Sequence, residues 1–217
     1  MTNTIEKVVV IGGGSYAKIV ISILKKIESF EIVGYTDVKD QGKVLGVSYL
    51  GGDEVLRTLF EDSKVKSAVI GIGQLQNANI KKRVISELKT IGYQFPAIIS
   101  PTAIVNEEVE LGEGTIVRDN AVISASTKIG KFTIIGTSVS VSYDTLIGDF
   151  TNISLGSNIG IEISIGNEVL IGMGSTVMNY KKIVDNCFIG AGSMVIKDCL
   201  EPGLYFGTPA KKIKNIE

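Results

Sequence analysis

The chain has 217 residues, and its 22 Lys and Arg nearly cancel 23 Asp and Glu, leaving a formal charge of −1. That balance excludes the basic surplus of a dedicated nucleic-acid binder, and 44% apolar with 21% charged residues excludes wholesale disorder. Histidine is absent altogether, which removes Ser-His-Asp and Cys-His catalysis, His-ligated zinc and any histidine general base.

Cys187 and Cys199 are too few for a disulfide scaffold. No apolar run approaches the roughly 20 residues of a membrane helix. The N-terminal MTNTIEKVVV lacks the basic start and long apolar stretch of a signal peptide. The expectation is a soluble, cytoplasmic protein with no membrane insertion, no nucleic-acid partner and no metal.

In chain order, Lys7–Ile11 (KVVVI) predicts a short strand that stops at Gly12-Gly13-Gly14. Ser15 caps a helix to about Glu28, with Ile19, Val20, Ile23, Leu24 and Ile27 on one face. Ile32–Thr36 predicts a second strand, Asp53 begins a short helix through Phe60, and Ser67–Ile72 predicts a third strand. Asn77 caps a helix to about Thr90, which Gly92 ends in the left-handed conformation, and Phe95–Ile99 predicts a fourth strand. Alternating strands and helices imply a small Rossmann-like parallel α/β domain over residues 1–99.

From Ile99 the pattern changes. Every sixth position from 99 to 195 is Ile, Val or Leu, 17 sites without a break. The next residue is often Gly (112, 130, 136, 148, 160, 166, 172, 190), and the residue two before is mostly small, as in Ala121, Thr127, Thr133, Thr145 and Ser157. Neither a strand, with period two, nor a helix, with period about 3.6, yields a strict six. A hexapeptide β-helix does, with the aliphatic and small residues pointing inward and Gly relieving the backbone at the corners. Three six-residue faces make one coil of a triangular prism, so residues 100–217 are expected to form a left-handed parallel β-helix of about five to six coils, with a C-terminal tail. Cys187 and Cys199 both fall on the small inward position and are read as core fillers.

Five motifs lie in order along the chain: Val10–Lys18 (VIGGGSYAK), Gly34-Tyr35-Thr36-Asp37, the stretch Ile70–Arg83 with Gly92–Val105 (GYQFPAIISPTAIV), Ser142–Gly156 (SYDTLIGDFTNISLG) and Gly207–Lys211 (GTPAK). From about Lys7 to Lys214 the sequence resembles the sugar O- and N-acyltransferases of the sialic-acid O-acetyltransferase type. These include the acetyltransferases of nucleotide-linked 4-amino sugars. At four places where that family usually has histidine this chain has Tyr16, Ser100, Tyr143 and Asn152, and Leu155 stands where Pro is common.

The resemblance implies an acyl-CoA, most simply acetyl-CoA, as co-substrate, a nucleotide-linked amino sugar as acceptor, a role in surface-glycan synthesis and a homotrimer. It places the general base at position 143, here Tyr143, with Asp144 as its acidic neighbour and the nearby carboxylate available as a base. It places Asn152 near the thioester, with Met173 and Ala191 lining the pantetheine arm on successive coils; Lys211 and Lys212, which follow GTPA, either meet coenzyme A phosphates or form a solvated tail. It assigns Gly14, Ser15, Tyr16 and Asp37 to the acceptor, with Lys18 beside them. Read alone, Gly12–Ala17 also fits G-x-G-x-x-A and Asp37 the ribose-binding acid of an NAD site, a weak motif by itself.

Chemistry favours an amine acceptor. A sugar hydroxyl needs a base to become a nucleophile, whereas a neutral amine attacks through its lone pair and loses its proton afterwards. The alternative is a member of the same family that has lost turnover and binds acyl-CoA or nucleotide sugar in a regulatory or structural role.

Overall fold

The computed structural model describes residues 5–62, 65–73 and 78–215; Asn77, the expected helix cap, lies outside the described residues. The chain divides into two compact units, Met1–Pro101 and Thr102–Glu217.

The N-terminal unit holds four strands, β1 (Glu6–Ile11), β2 (Phe30–Thr36), β3 (Tyr49–Gly51) and β4 (Ser67–Ile70). They form one parallel sheet in the order β3-β2-β1-β4. Val8, Val9 and Val10 are fully buried, as a strand covered on both faces requires. Three helices accompany the sheet, α1 (Ser15–Leu24), α2 (Val55–Glu61) and α3 (Asn79–Ile91).

Several boundaries differ from those expected. Helix α1 ends at Leu24, not Glu28, because Lys26 and Ile27 donate to Ile23 and Leu24, three residues back, and tighten the last turn. Helix α2 starts at Val55, and β4 stops at Ile70. The Phe95–Ile99 segment adds no strand to this sheet: only Gln94 bridges to Ser67, and the regular strand is Ile98–Ile99. Pro96 has no N–H to offer a ladder there. Gly92 ends α3 at φ 110°, as its sequence position predicts, and its N–H donates to Leu88 and Lys89.

The C-terminal unit is the expected left-handed parallel β-helix. Short parallel strands recur from Ile104–Val105 to Met194–Val195, and up to Thr176–Val177 each pairs with the strand 18 residues on, as in Ile134, Asn152 and Leu170. The inward aliphatic column from Val117 to Val195 is buried throughout.

Small size is only half the reason for Ser and Thr in the second inward column. The hydroxyls of Thr115, Thr133, Thr151, Ser157 and Ser175 donate to the carbonyls of Gly130, Gly148, Gly166, Gly172 and Gly190 at 2.7–3.0 Å, each fifteen residues on. Thr133 also accepts the Thr151 N–H at 3.2 Å. Thr133→Val keeps the shape and strands both partners, so a loss of about 1–3 kcal/mol is expected, read as a lower melting temperature.

The corners work differently from the expectation. The left-handed residue is not the Gly after each aliphatic but the third residue after it, and mostly it is not Gly: Asn120, Ser126, Phe132, Ser138, Asp144, Phe150, Glu162 and Glu168 all have φ between 51° and 59°. The Gly that follows the aliphatic answers a different demand. A Cβ on Gly136 would lie 2.6 Å from the Leu155 nitrogen, and on Gly172 2.5 Å from the Ala191 nitrogen. Close approach of the next coil, not backbone freedom, selects glycine there.

Both cysteines are buried and unbridged, in keeping with a filling role. Burial pushes the Cys187 thiol to about 11 and the Cys199 thiol to about 12. The unfolded thiols ionise first, so this contribution to stability is complete below about pH 9 and declines as pH rises toward 11–12. Ellman's reagent at pH 8 is expected to find no reactive thiol in the folded chain and two after denaturation.

Candidate functional site

In the N-terminal unit the chain leaves β1 toward β2 on one side and returns to β4 on the other, so the strand order reverses between β1 and β4. A crevice outside the carboxyl ends of such strands is where open α/β sheets bind ligands. Two glycine turns meet at this point. A Cβ on Gly71 would lie 3.0 Å from the Gly12 carbonyl oxygen, and one on Gly73 3.3 Å from Tyr16 Cβ. Gly12 itself has φ 100°, and a side chain on Gly13 would strike the ring of buried Tyr35.

Gly14 is the residue that caps α1, and Ser15, expected as the cap, is instead the first helical residue. No side chain caps this end, the first turn carries no acid, and the space around Gly14 is open. Exposed N–H groups at such an end favour an anion. Asp37 is half-buried at the end of β2, and its Oδ2 accepts the Gly13 N–H at 2.6 Å, so one face of this carboxylate shapes the loop. Tyr16 is half-buried beside Gly73, whereas Ser15 and Lys18 are exposed. The sheet therefore gathers Gly14, Ser15, Tyr16 and Asp37 at one end.

Gly71 and Gly73 belong to the same crevice and were missed from sequence; their signal is G-I-G directly after a strand at the reversal point. Lys81 lies in the first turn of α3. It is buried, and burial lowers its ammonium to about 8.

In the β-helix the remaining residues occupy two different edges of the prism. Tyr143 and Asp144 turn the chain between strands Ser140–Val141 and Leu146–Ile147. Tyr143 is 44% exposed, its carbonyl accepts the Glu162 N–H at 3.1 Å, and Asp144 is an exposed left-handed corner residue at φ 55°. Leu155, Met173 and Ala191 stack along another edge, where Gly174 donates to Leu155 at 3.0 Å and Gly192 to Met173 at 2.8 Å. Asn152 opens the strand leading into that edge and pairs with Ile134 and Leu170. One chain thus brings Asn152, Met173 and Ala191 to one region and Tyr143 with Asp144 to another.

Beyond the last coil, strand Gly203–Gly207 runs parallel to Cys187–Ile189 and turns back as Ala210–Lys214. The Phe206 ring lies where a Gly190 side chain would stand, and Thr208 donates to the Gly192 carbonyl at 3.4 Å. Residues 207–211 therefore fold over the upper end of the Ala191 edge. Lys212 pairs with Glu201 at 2.7 Å, while Lys211 is exposed. Among the described residues no cluster of His, Cys, Asp or Glu is arranged to hold a metal ion, and no helix is long and apolar enough to cross a membrane.

Residues 7–88 match the PglD N-terminal domain family. A histidine-to-asparagine mutant of perosamine N-acetyltransferase from Caulobacter crescentus, solved with CoA and GDP-perosamine, is similar over 98% of this chain and 99% of its own, at 29% identity and a TM-score of 0.90. The acetyltransferase domain of PglB from Neisseria gonorrhoeae, solved with acetyl coenzyme A, is similar over 96% of this chain and 100% of its own, at 26% identity and a TM-score of 0.88. WeeI from Acinetobacter baumannii shares the fold at 22% identity and a TM-score of 0.82, over 96% of this chain and 100% of its own. No curated protein matches the chain.

Proposed function

The chain belongs to the hexapeptide-repeat acetyltransferases of nucleotide-linked amino sugars, and from that premise we propose that it moves the acyl group of an acyl-CoA, acetyl-CoA first, onto the amine of a nucleotide-linked sugar in surface-glycan synthesis. The full-length similarity to perosamine N-acetyltransferase carries this reading.

The division of labour follows the two units. Gly14 and Ser15 at the N-terminus of α1, with Tyr16 and Asp37 beside them, contact the nucleotide of the acceptor. In the β-helix the acceptor amine attacks the thioester carbonyl, the C–N bond forms and the C–S bond breaks. The surplus ammonium proton passes to Asp144 and from there to the departing thiolate. The Tyr143 phenol orients the amine, a role that needs no ionisation. Asn152, Met173 and Ala191 line the acyl-CoA.

A homotrimer brings the two edges together, the Tyr143–Asp144 edge of one prism facing the Asn152–Met173–Ala191 edge of the next. Their separation within a single chain supports this arrangement. A histidine base is dispensable for an amine, because the lone pair attacks before the proton leaves.

Thiol release from acetyl-CoA is the test, with UDP-, GDP- and dTDP-linked amino sugars and their hydroxyl counterparts as acceptors. Release with an amino sugar alone is expected. Silence across the whole panel overturns the enzymatic reading. Acetyl-CoA binding without release, with activity gained in Tyr143→His, would identify a binding protein instead.

A further inference from the structure

Two charged side chains on the acyl-CoA edge have no place in the scheme above: Asp119, in the column of Leu155, whose carboxylate accepts from Thr102 at 3.4 Å, and Arg118 beside it. The position that follows each inward aliphatic on this edge recurs every coil, and it is filled by Arg118, Gly136, Ser154, Gly172 and Gly190. Only the first carries a long side chain. The Arg118 backbone N–H is used in the coil, donating to Ile135 at 2.9 Å. Arg118 is half-buried, its side-chain Nε is buried without an acceptor, and no described carboxylate pairs with the group. A buried N–H on a cation left without a partner destabilises the free chain. Such a group persists most readily where a ligand supplies the missing acceptor.

Its position narrows what that ligand is. Successive coils are one strand spacing apart, so Arg118 lies two coils, about 10 Å, from Ser154 and Leu155 along the prism axis. It lies on the side away from Met173 and Ala191. An acyl-CoA extending over Leu155, Met173 and Ala191 leaves this end of the edge for the acceptor. A guanidinium is a planar fork of donors matched to phosphate oxygens.

We propose that Arg118 binds the diphosphate of the acceptor nucleotide sugar and so presents its amine to the thioester two coils further along the edge. This rests on the function proposed above and deepens it, assigning a phosphate-binding residue to the β-helix itself.

Calorimetric titration of the intact protein with UDP, GDP and dTDP, and separately with coenzyme A, tests the assignment in wild type, Arg118→Met and Arg118→Lys. Arg118→Met is expected to bind the preferred nucleoside diphosphate about 10–100-fold more weakly, the range of a lost charge-assisted contact. Arg118→Lys should recover part of that loss, and coenzyme A affinity should stay unchanged. In turnover, the acceptor KM should rise by a similar factor with kcat little altered. Equal nucleoside diphosphate affinity in wild type and Arg118→Met overturns this inference alone. So does a loss confined to coenzyme A, or dissociation of the oligomer in sedimentation without a change in diphosphate affinity, which would make Arg118 an inter-subunit partner. Failure of the wild type to bind any nucleoside diphosphate overturns the proposed acceptor as well.

Discussion

Asp144→Asn is expected to lower turnover by about 10²–10⁴-fold, the usual contribution of a general base, with acceptor and acetyl-CoA affinities preserved. The substitution is close to isosteric and replaces an anionic proton acceptor with a neutral amide. Asp144 is exposed and sits at φ 55°, a conformation that Asn tolerates as well as Asp, so the corner and the coil should be undisturbed. Steady-state thiol release combined with coenzyme A binding separates the two effects. Unchanged kcat would mean that the ammonium proton reaches the thiolate without Asp144. Tyr143→Phe should be milder, because a phenol that orients an amine is replaced in part by the positioning of the bound substrates.

The second large effect concerns architecture. Gly136→Ala should lower the melting temperature sharply, while Gly156→Asn should change it little, although composition alone treats the two glycines alike. An added Cβ at Gly136 meets the backbone of the next coil at 2.6 Å, and backbone cannot swing aside as a side chain can. Overpacking of this kind typically costs about 1–3 kcal/mol and more where nothing yields. Gly156 has a positive φ of 67° but open space around it. The equivalent corners hold Asn120 and Ser138, so Asn is already accepted in that conformation. Thermal melts of both variants decide the matter: similar melting temperatures would refute the distinction between crowding and corner conformation.

The β-helix was legible because one contact, aliphatic on aliphatic in the next coil, repeats without interruption from Val117 to Val195 and leaves a six-residue period that neither a helix nor an isolated strand can imitate. Steps of 18 along the sequence likewise put Leu155, Met173 and Ala191 on one edge. The corner conformation was not legible, since Phe132, Asp144 and Glu168 share no chemical property, only a position in the coil. In the N-terminal unit, Tyr49–Gly51 is too short to show a period, and the apolar run ending at Ile99 suggested a sheet strand although Pro96 interrupts its hydrogen bonding. Tyr143 and Asp144 were identified only through the resemblance. Gly71, Gly73 and Arg118 carry no pattern along the chain and acquire meaning from what the fold sets beside them.

Because each residue pairs with the one 18 positions on, the prism behaves as a counter with two independent readings, height and phase. Insertion or deletion of a whole coil changes how far the Leu155–Met173–Ala191 edge extends and leaves every side chain on its edge. A change of six residues preserves the hydrophobic core equally well, yet rotates everything downstream by one face and carries Met173 and Ala191 away from Asn152. The core therefore tolerates length changes in sixes, and a site built across coils tolerates them only in eighteens. Donor length and site integrity are thereby set by separate arithmetic within one repeating scaffold.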